Sequence, residues 1–384
     1  MQQCSHMENQ CSTYGIVNEE EYISNESNAQ AAAFLTSFYR HRRNIAYQFT
    51  INMKKRIFFL LLCFGVLFCT SCSKQGAIMD TKESYALSTI CSQSIPQTKN
   101  SKDVLEESEH ILKQIEQTMS RFQEGSFVYQ INHSHGQPVQ VDASTYAVIE
   151  QGLVLSQSTN GAFNISIGSL TDLWNITGDN PRVPSPDEIE EALEHIDYSQ
   201  VVLDPETRQI TVPDGMMLDL GGIAKGYATD QIIAHYKSRG INSAILNLGG
   251  NVYVLGKKDD SSLYTVGIKD PVDGSVFGTI QAENKAVVTS GGYERYFEQD
   301  GVRYHHILDG KTGYPAQSDL LSVTVVCDSS TTADALSTAL FVMGSEAGLA
   351  FAQTMEGVDV LMIDQHSNVI TTPDFIEKYN FKRS

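Results

Sequence analysis

Asp334 and Thr338 stand four residues apart in Ala333-Asp334-Ala335-Leu336-Ser337-Thr338, and residues at i and i+4 share one face of a helix. That face would present a carboxylate and a hydroxyl, two hard oxygens, to one cation. The pair suits Mg2+, which keeps several waters and takes only one or two protein carboxylates, leaving its other positions to a phosphorylated substrate. An Asp in a first helical turn after Ser329, Ser330, Thr331 and Thr332 is also ordinary capping chemistry, so the pair alone does not separate a metal site from a helix start. A second source of chemistry lies upstream, in His305-His306-Ile307-Leu308-Asp309-Gly310-Lys311-Thr312-Gly313-Tyr314-Pro315. A neutral imidazole with an ordinary pKa of about 6.5 accepts a proton at physiological pH, which makes His306 a candidate general base with Asp309 to orient or assist it. His305 faces the other way if the segment is extended and serves as the fallback. Taken alone, a histidine in a strand is more often structural.

Two glycine-rich turns add an anion site. Leu218-Asp219-Leu220-Gly221-Gly222-Ile223-Ala224-Lys225-Gly226 reads as a short apolar strand passing through a glycine pair into a helix, with Lys225 in its first turn. Backbone N–H groups at a helix N-terminus, beside a lysine, favour an anion. Neither the Walker A nor the dinucleotide G-x-G-x-x-G spacing is met. Ser243 to Leu248 reads as a buried strand ending in a second pair, Gly249-Gly250. Each pair alone is consistent with a tight turn. Together with Asp334 and Thr338 they outline a diphosphate pocket.

These motifs, in this order, resemble the ApbE-type flavin transferases, the FAD:protein FMN transferases. The resemblance covers about residues 83 to 380. It extends to Met119-Ser120-Arg121-Phe122 with Asn132 beyond it, to Gly161-Ala162-Phe163-Asn164-Ile165-Ser166 leading to Leu170 and Trp174, and to Thr289-Ser290-Gly291-Gly292-Tyr293-Glu294-Arg295-Tyr296. It implies a Mg2+-dependent α+β protein that binds FAD, cleaves its diphosphate with release of AMP, and attaches FMN by a phosphoester to a Thr or Ser of a partner, such as a respiratory or electron-transfer subunit. Carried over by position, it implies metal ligation by Asp334, Thr338 and a main-chain oxygen at Gly222. For the flavin it implies Leu87, Phe122, Ala162, Phe163, Asn164, Asp219, Lys225 and Ile307. The chain departs from the family pattern at several places. Leu87-Ser88-Thr89 stands where Met-Gly-Thr is usual, Asn164 replaces Asp, Gly222 replaces Ala or Thr, and Gly310 replaces proline. Leu for Met keeps an apolar contact and Asn for Asp keeps one acceptor, so altered affinity is expected rather than loss of FAD.

Cleaving a diphosphate requires charge to be neutralised on its oxygens, which Mg2+ and a lysine near a helix N-terminus would supply. The attacking alcohol needs a base, the role implied for His306 with Asp309, and a base of ordinary pKa predicts transfer rising with pH through about 6 to 7. Phe122 and Phe163 could stack on the isoalloxazine ring, although core packing is the ordinary fate of an aromatic; Trp174 reads as core or a pocket wall. Two alternatives from other classes are hydrolysis of FAD to FMN and AMP, and a periplasmic FAD carrier without chemistry. Asp334, Thr338, Lys225 and His306 argue against the carrier.

The address is written near the N-terminus. Met53-Lys54-Lys55-Arg56, an apolar stretch from Ile57 to Cys69, and Thr70-Ser71-Cys72 make a bacterial lipoprotein signal, too short for a stable transmembrane span. The organisation expected is an upstream extension from a mis-called start over 1–52, a signal over 53–71, a lipidated tether over 72–83 beginning at Cys72, and a flavin transferase domain over 84–384. The protein would face the periplasm in the bacterial cell envelope, held to the inner or outer membrane by the lipid alone. The net charge of -19 argues against nucleic acid and against a polybasic membrane contact. Of seven cysteines, Cys91 and Cys327 fall within the domain, and both are expected to be free.

The elements that must position these residues are legible in part. Helices are expected over Lys102–Phe122, Tyr146–Gln157 and Glu188–His195, a hairpin at Val201–Leu203 and Gln209–Val212, and a buried strand at Val323–Cys327 feeding the Asp334 helix. Helices and strands alternate without strict βαβ order, which predicts one elaborated α+β domain. A mixed or antiparallel sheet with packed helices, T-fold-like, is what the resemblance implies. Cys72→Ala should release the protein from membranes or leave it uncleaved, read by detergent partitioning. A cleaved Cys72→Ala protein that still partitions with membranes would point to another anchor.

Overall fold

The computed structural model describes residues 78–384. Cys72, the signal and the upstream extension lie outside the described residues. In chain order the strands are β1 (Met79–Ala86), β2 (Thr89–Pro96), β3 (Val139–Gln140), β4 (Val202–Asp204), β5 (Gln209–Thr211), β6 (Ala244–Leu248), β7 (Asn251–Leu255), β8 (Tyr264–Lys269), β9 (Val276–Ala282), β10 (Lys285–Gly291), β11 (Tyr296–Gln299), β12 (Val302–His305), β13 (Leu320–Cys327), β14 (Asp359–Asp364), β15 (Val369–Thr371) and β16 (Lys382–Arg383). The helices are α1 (Ser101–Met119), α2 (Phe127–Asn132), α3 (Ala143–Ser158), α4 (Gly168–Trp174), α5 (Pro186–Leu193), α6 (Ala224–Ser238), α7 (Ser330–Ala352) and α8 (Phe375–Lys378). The fold is α+β, and the expected helices, the β4–β5 hairpin and the β13 strand are all present. β1 takes up residues 79–83, which the sequence assigned to the tether, because its backbone pairs along its whole length with β2.

One sheet of eight strands, in the order β1-β2-β6-β7-β10-β13-β14-β15, organises the molecule, and every pairing in it is antiparallel. Its central strands are buried on both faces, which is why they read as nearly continuous apolar runs rather than as an alternation. In β14, Val360 and Met362 point into the larger core with α1, α6 and α7, while Leu361 and Ile363 point into a second core. β7 divides the same way, Tyr253 and Leu255 to one side, Val252 and Val254 to the other. A three-stranded sheet, β16-β9-β8, closes the second core with Tyr264, Val266, Ile268, Phe277 and Ile280. A third, smaller cluster packs Leu170 and Trp174 of α4 and Ile189 and Ala192 of α5 around Leu308.

α7 is long and apolar enough to cross a membrane by length and composition alone, yet its first fourteen residues are largely buried against β10 and β13. Gly344, at φ 78 and ψ 179, breaks it, and Asp319 takes the N–H of Ser345 at 2.9 Å, starting the following turn as a new helix. Its N-terminus is capped from another helix. The Asp230 carboxylate of α6 accepts from Ser330 N at 2.8 Å, Thr331 N at 2.9 Å, Thr331 Oγ1 at 2.6 Å and Ser329 Oγ at 3.0 Å. An anion there satisfies N–H groups that have no partner within the helix and complements its dipole. Gly226 allows the two helices to meet, since a Cβ on it would lie 2.2 Å from Ser330 O. Cys91 and Cys327 are free and buried, as expected, and burial pushes each thiol up to about 12.

Asp230→Ala removes four hydrogen bonds from the start of α7 and should cost about 2–4 kcal/mol, a fall in Tm of roughly 4–10 °C by calorimetry. An unchanged Tm would show the cap to be dispensable.

Candidate active site

The α6–α7 junction assembles the charged half of the site. Asp334, 3 % exposed, lies one turn into α7 and sends its carboxylate back to α6, where Oδ2 accepts from Gly226 N at 3.0 Å and Oδ1 lies 3.1 Å from Lys225 Nζ. Lys225 also donates to Gly221 O at 3.2 Å, so it spans the glycine turn and the buried carboxylate. Thr338 sits one turn beyond Asp334, as the spacing predicts. Its hydroxyl lies 3.5 Å from Ser290 Oγ of β10, which is 2.8 Å from Ser337 Oγ. Gly222 faces the same place. A Cβ there would lie 3.7 Å from Thr338 Oγ1 and 3.1 Å from the Phe163 ring, so the aromatic takes the space a side chain would need.

These donors are all oxygens, with a single carboxylate among several hydroxyls and main-chain carbonyls. No group of three or more His, Cys, Asp or Glu with metal-binding geometry occurs among the described residues. A sparse, hard-oxygen set of this kind fits Mg2+, which keeps its own waters, and does not fit Zn2+ or a carboxylate-rich Ca2+ site.

The strand expected at Leu218–Leu220 does not form. Asn132 of α2 replaces a strand neighbour, its side chain accepting from Leu218 N at 2.7 Å and donating to Leu218 O at 2.9 Å, while Asp219 N donates to Ile165 O at 2.8 Å. This extended link delivers Asp219 to the mouth of the glycine turn, where Oδ1 accepts from Gly221 N at 2.8 Å and Oδ2 from Arg121 at 3.1 Å. Arg121 is itself nearly buried, bonded also to Gly168 O at 3.2 Å and to Asp172, and it lies 5.1 Å from the centroid of the Phe122 ring. Phe122 is 73 % exposed, an open aromatic face at the rim. Phe163, by contrast, is 4 % exposed and belongs to the main core, so it backs the glycine turn rather than offering a free face. Asn164 turns its Oδ1 to Ser166 N and Oγ, both at 2.8 Å, and its Nδ2 lies 3.7 Å from where a Cβ on Gly310 would stand. Ala162 is half-buried beside it, and Leu87 is half-buried in the β1–β2 turn, its N–H donating to Glu116 at 3.0 Å.

His306 follows β12 directly. Its N–H and its Nδ1 both meet Arg295 O, at 3.0 and 3.2 Å. A carbonyl oxygen only accepts, so this contact places the proton on Nδ1 and leaves Nε2 with the free lone pair. Although part of its surface stays accessible, desolvation by the surrounding protein, then the nearby charges of Arg295 and His305, push its pKa down to about 3. This changes one expectation. The imidazole is already neutral well below pH 6, so without a bound anion it does not generate a rise in rate between pH 6 and 7. His305 makes the opposite choice of nitrogen, Nε2 against Ala316 O at 3.2 Å, with its ring edge-on to Phe341 and its Nδ1 buried. That is a packing histidine.

The Asp309 carboxylate accepts from Lys311 N at 2.9 Å, and its main chain closes the turn by donating N–H to Tyr314 O and accepting from Gly313 N, both at 2.8 Å, so Arg295, not Asp309, is the residue that orients His306. Ile307 is buried in the main core, and Trp174 Nε1 donates to Gly313 O at 2.8 Å, pinning the same turn from α4. Arg121, Asp230, Ser290 and Arg295 were not singled out for a role by sequence reasoning. Arg121, Ser290 and Arg295 lie within motifs that carry the family resemblance, but the partners that give them a role are distant in the chain.

The ApbE family model matches residues 80–362. The FAD:protein FMN transferase of Treponema pallidum (strain Nichols) is 37 % identical over 346 residues, covering 82 % of this chain and 94 % of that protein. The enzyme of the same description from Klebsiella pneumoniae (strain 342) is 36 % identical over 264 residues, covering 68 % and 82 %. Among solved structures, the ApbE protein of Thermotoga maritima superposes with a TM-score of 0.74 at 37 % identity, covering 78 % of this chain and 98 % of that one. The flavin transferase ApbE of Vibrio cholerae superposes with a TM-score of 0.71 at 28 % identity, covering 79 % and 99 %.

The unfolded chain binds a proton at His306 below about pH 6.5 that the folded protein refuses until about pH 3. The group therefore adds stability above pH 6.5 that is lost as pH falls toward 3. His306→Asn should flatten the decline of the urea midpoint between about pH 6.5 and 4, and parallel wild-type and variant curves would show that the imidazole is not desolvated.

Proposed function

The chain belongs to the ApbE family, and from that premise we propose that it is a Mg2+-dependent FAD:protein FMN transferase that esterifies a Ser or Thr hydroxyl of a partner protein. The observation that carries the reading is the buried Asp334 carboxylate, held by Lys225 Nζ and Gly226 N beside Thr338 and the Gly221-Gly222 turn. Asp334, Thr338 and the Gly222 main chain would hold the metal, which when bound neutralises charge on the diphosphate. Lys225, already at the glycine turn, is placed to exchange its carboxylate partner for a phosphate oxygen, a substitution of one anion by another. The α6 N-terminus, where Asp334 takes the Gly226 N–H, adds its dipole to the same end.

In the reaction proposed, the partner's hydroxyl oxygen forms a bond to the FMN phosphorus, the bond from that phosphorus to the bridging oxygen breaks, and AMP leaves with that oxygen. The hydroxyl proton passes to His306 Nε2, the nitrogen left free by the Arg295 carbonyl. A pKa of about 3 makes a weak base, but an adjacent diphosphate favours the imidazolium and raises the value toward the working pH. FAD thus prepares the base that acts on its partner. The exposed Phe122 and the half-buried Leu87 offer apolar surface for the isoalloxazine, with Asp219 held by Arg121 at the rim. For the address, the Cys72 lipid signal supports an envelope protein facing the periplasm.

A candidate acceptor incubated with the protein, FAD and Mg2+ should gain the mass of an FMN ester, with AMP released one for one. Asp334→Asn should lower the rate by roughly a hundredfold or more, Thr338→Val by less, because a neutral ligand is lost. His306→Asn should abolish labelling while FAD affinity, read by flavin fluorescence, stays within about twofold. AMP release without labelled partner would make the protein an FAD hydrolase instead.

A further inference from the structure

The two residues that connect β1 to β2 are Leu87 at φ 52 and Ser88 at φ 58, consecutive L-residues in the left-handed region. A two-residue link of this kind suits Asn-Gly, and a branched leucine followed by serine is strained there. Strain persists only where the surroundings over-determine the conformation. Two contacts do so here: Glu116 Oε1 takes Leu87 N at 3.0 Å, and Arg295 Nη2 donates to Ser88 O at 3.1 Å. The next residue, Thr89, is wedged against Gly249 so closely that a Cβ there would lie 2.0 Å from Thr89 Oγ1. Arg295 is exposed, and a single surface hydrogen bond scarcely offsets the ordering of so long a side chain, which is hard to account for by stability alone. The same residue's carbonyl takes both His306 N and His306 Nδ1.

We propose that Arg295 is a positioning residue that latches the strained Leu87-Ser88 turn to the His306 loop, so that the surface offered to the flavin and the proton-accepting imidazole are held in register by one residue. This rests on the reading of the site as an FAD site. The guanidinium acts on the turn, while the main-chain carbonyl that sets the imidazole survives any substitution of the side chain. Loss of the side chain therefore weakens flavin binding and spares the chemical step.

The test is a double-mutant cycle in the full chain between Arg295→Gln and Ser88→Gly, with FAD affinity read by fluorescence and transfer by acceptor labelling. Arg295→Gln should raise Kd and KM for FAD roughly tenfold with kcat within about threefold. Glycine adopts positive φ without strain, so in the Ser88→Gly background the same substitution should change affinity less than about twofold. An unchanged affinity in Arg295→Gln overturns the latch. An equal loss in both backgrounds also overturns it, and would mean that the guanidinium meets the ligand directly. A wild type that binds no FAD would overturn the functional reading instead. The latch is then read without ligand, from the HN–Hα couplings of Leu87 and Ser88, which should leave left-handed values in Arg295→Gln if it is correct and keep them if it is not.

Discussion

Two helices that exchange carboxylates hold this molecule's chemistry in place. Asp230 of α6 closes the N-terminus of α7, and four residues into α7 Asp334 returns the contact, taking the N–H of Gly226 in the first turn of α6. Each anion sits where a helix exposes unpartnered N–H groups, so each is stabilised by hydrogen bonds and by the dipole of the opposite helix. The arrangement works only because Gly226 lets the backbones touch. From it follow the burial of Asp334, the reach of Lys225 to the glycine turn, and the common direction of Thr338 and Gly222. The anion-facing end of α6 and the oxygen-bearing face of α7 are therefore one unit and are placed together or not at all.

The central sheet supplies the stiffness that this exchange needs. β10 and β13 press against α7 from below and are themselves buried on their far side by the second core, so the floor of the site is packed on both faces. The Ser290–Ser337 hydrogen bond joins floor to helix beside the face that carries Asp334 and Thr338. Such packing transmits displacement rather than absorbing it.

Local pattern carried much of this into the sequence. The helices expected over Lys102–Phe122 and Glu188–His195 and the i, i+4 relation of Asp334 to Thr338 depend on neighbours within a turn or two, and all were legible; the capping box of Ser185 with Glu188 that opens α5 is seen in the structure. What was hidden depends on distant partners. Leu218–Leu220 looks like a strand by composition, yet the N–H and C=O of Leu218 are taken by Asn132, a side chain 86 residues away, and the N–H of Asp219 by Ile165 O. The start of β1 inside the expected tether follows from pairing with β2, and its polar sequence gave little sign of it. His306 could be found as a histidine beside an aspartate, but its pKa, its tautomer and its true orienting residue come from the fold around Arg295 and not from its neighbours in the chain. Asp230 looked like one more helical acid until α7 was placed against it.

The small third cluster has a consequence for how the site breathes. Leu308, just past His306, packs with Leu170, Trp174, Ile189 and Ala192, whereas Asp334, Lys225 and Thr338 stand on helices locked into the main core. Five buried residues make a cooperative unit far weaker than the eight-stranded sheet, and weak units open first and most often. The histidine-bearing segment is thus held by both clusters, Ile307 by the main core and Leu308 by the small one, while the charge-bearing helices belong to the main core alone. Amide exchange in the native protein should be faster on the side of Leu308 and the small cluster than in the first turns of α6 and α7, so that the edge of the site facing that cluster loosens while the ground around Asp334 stays still.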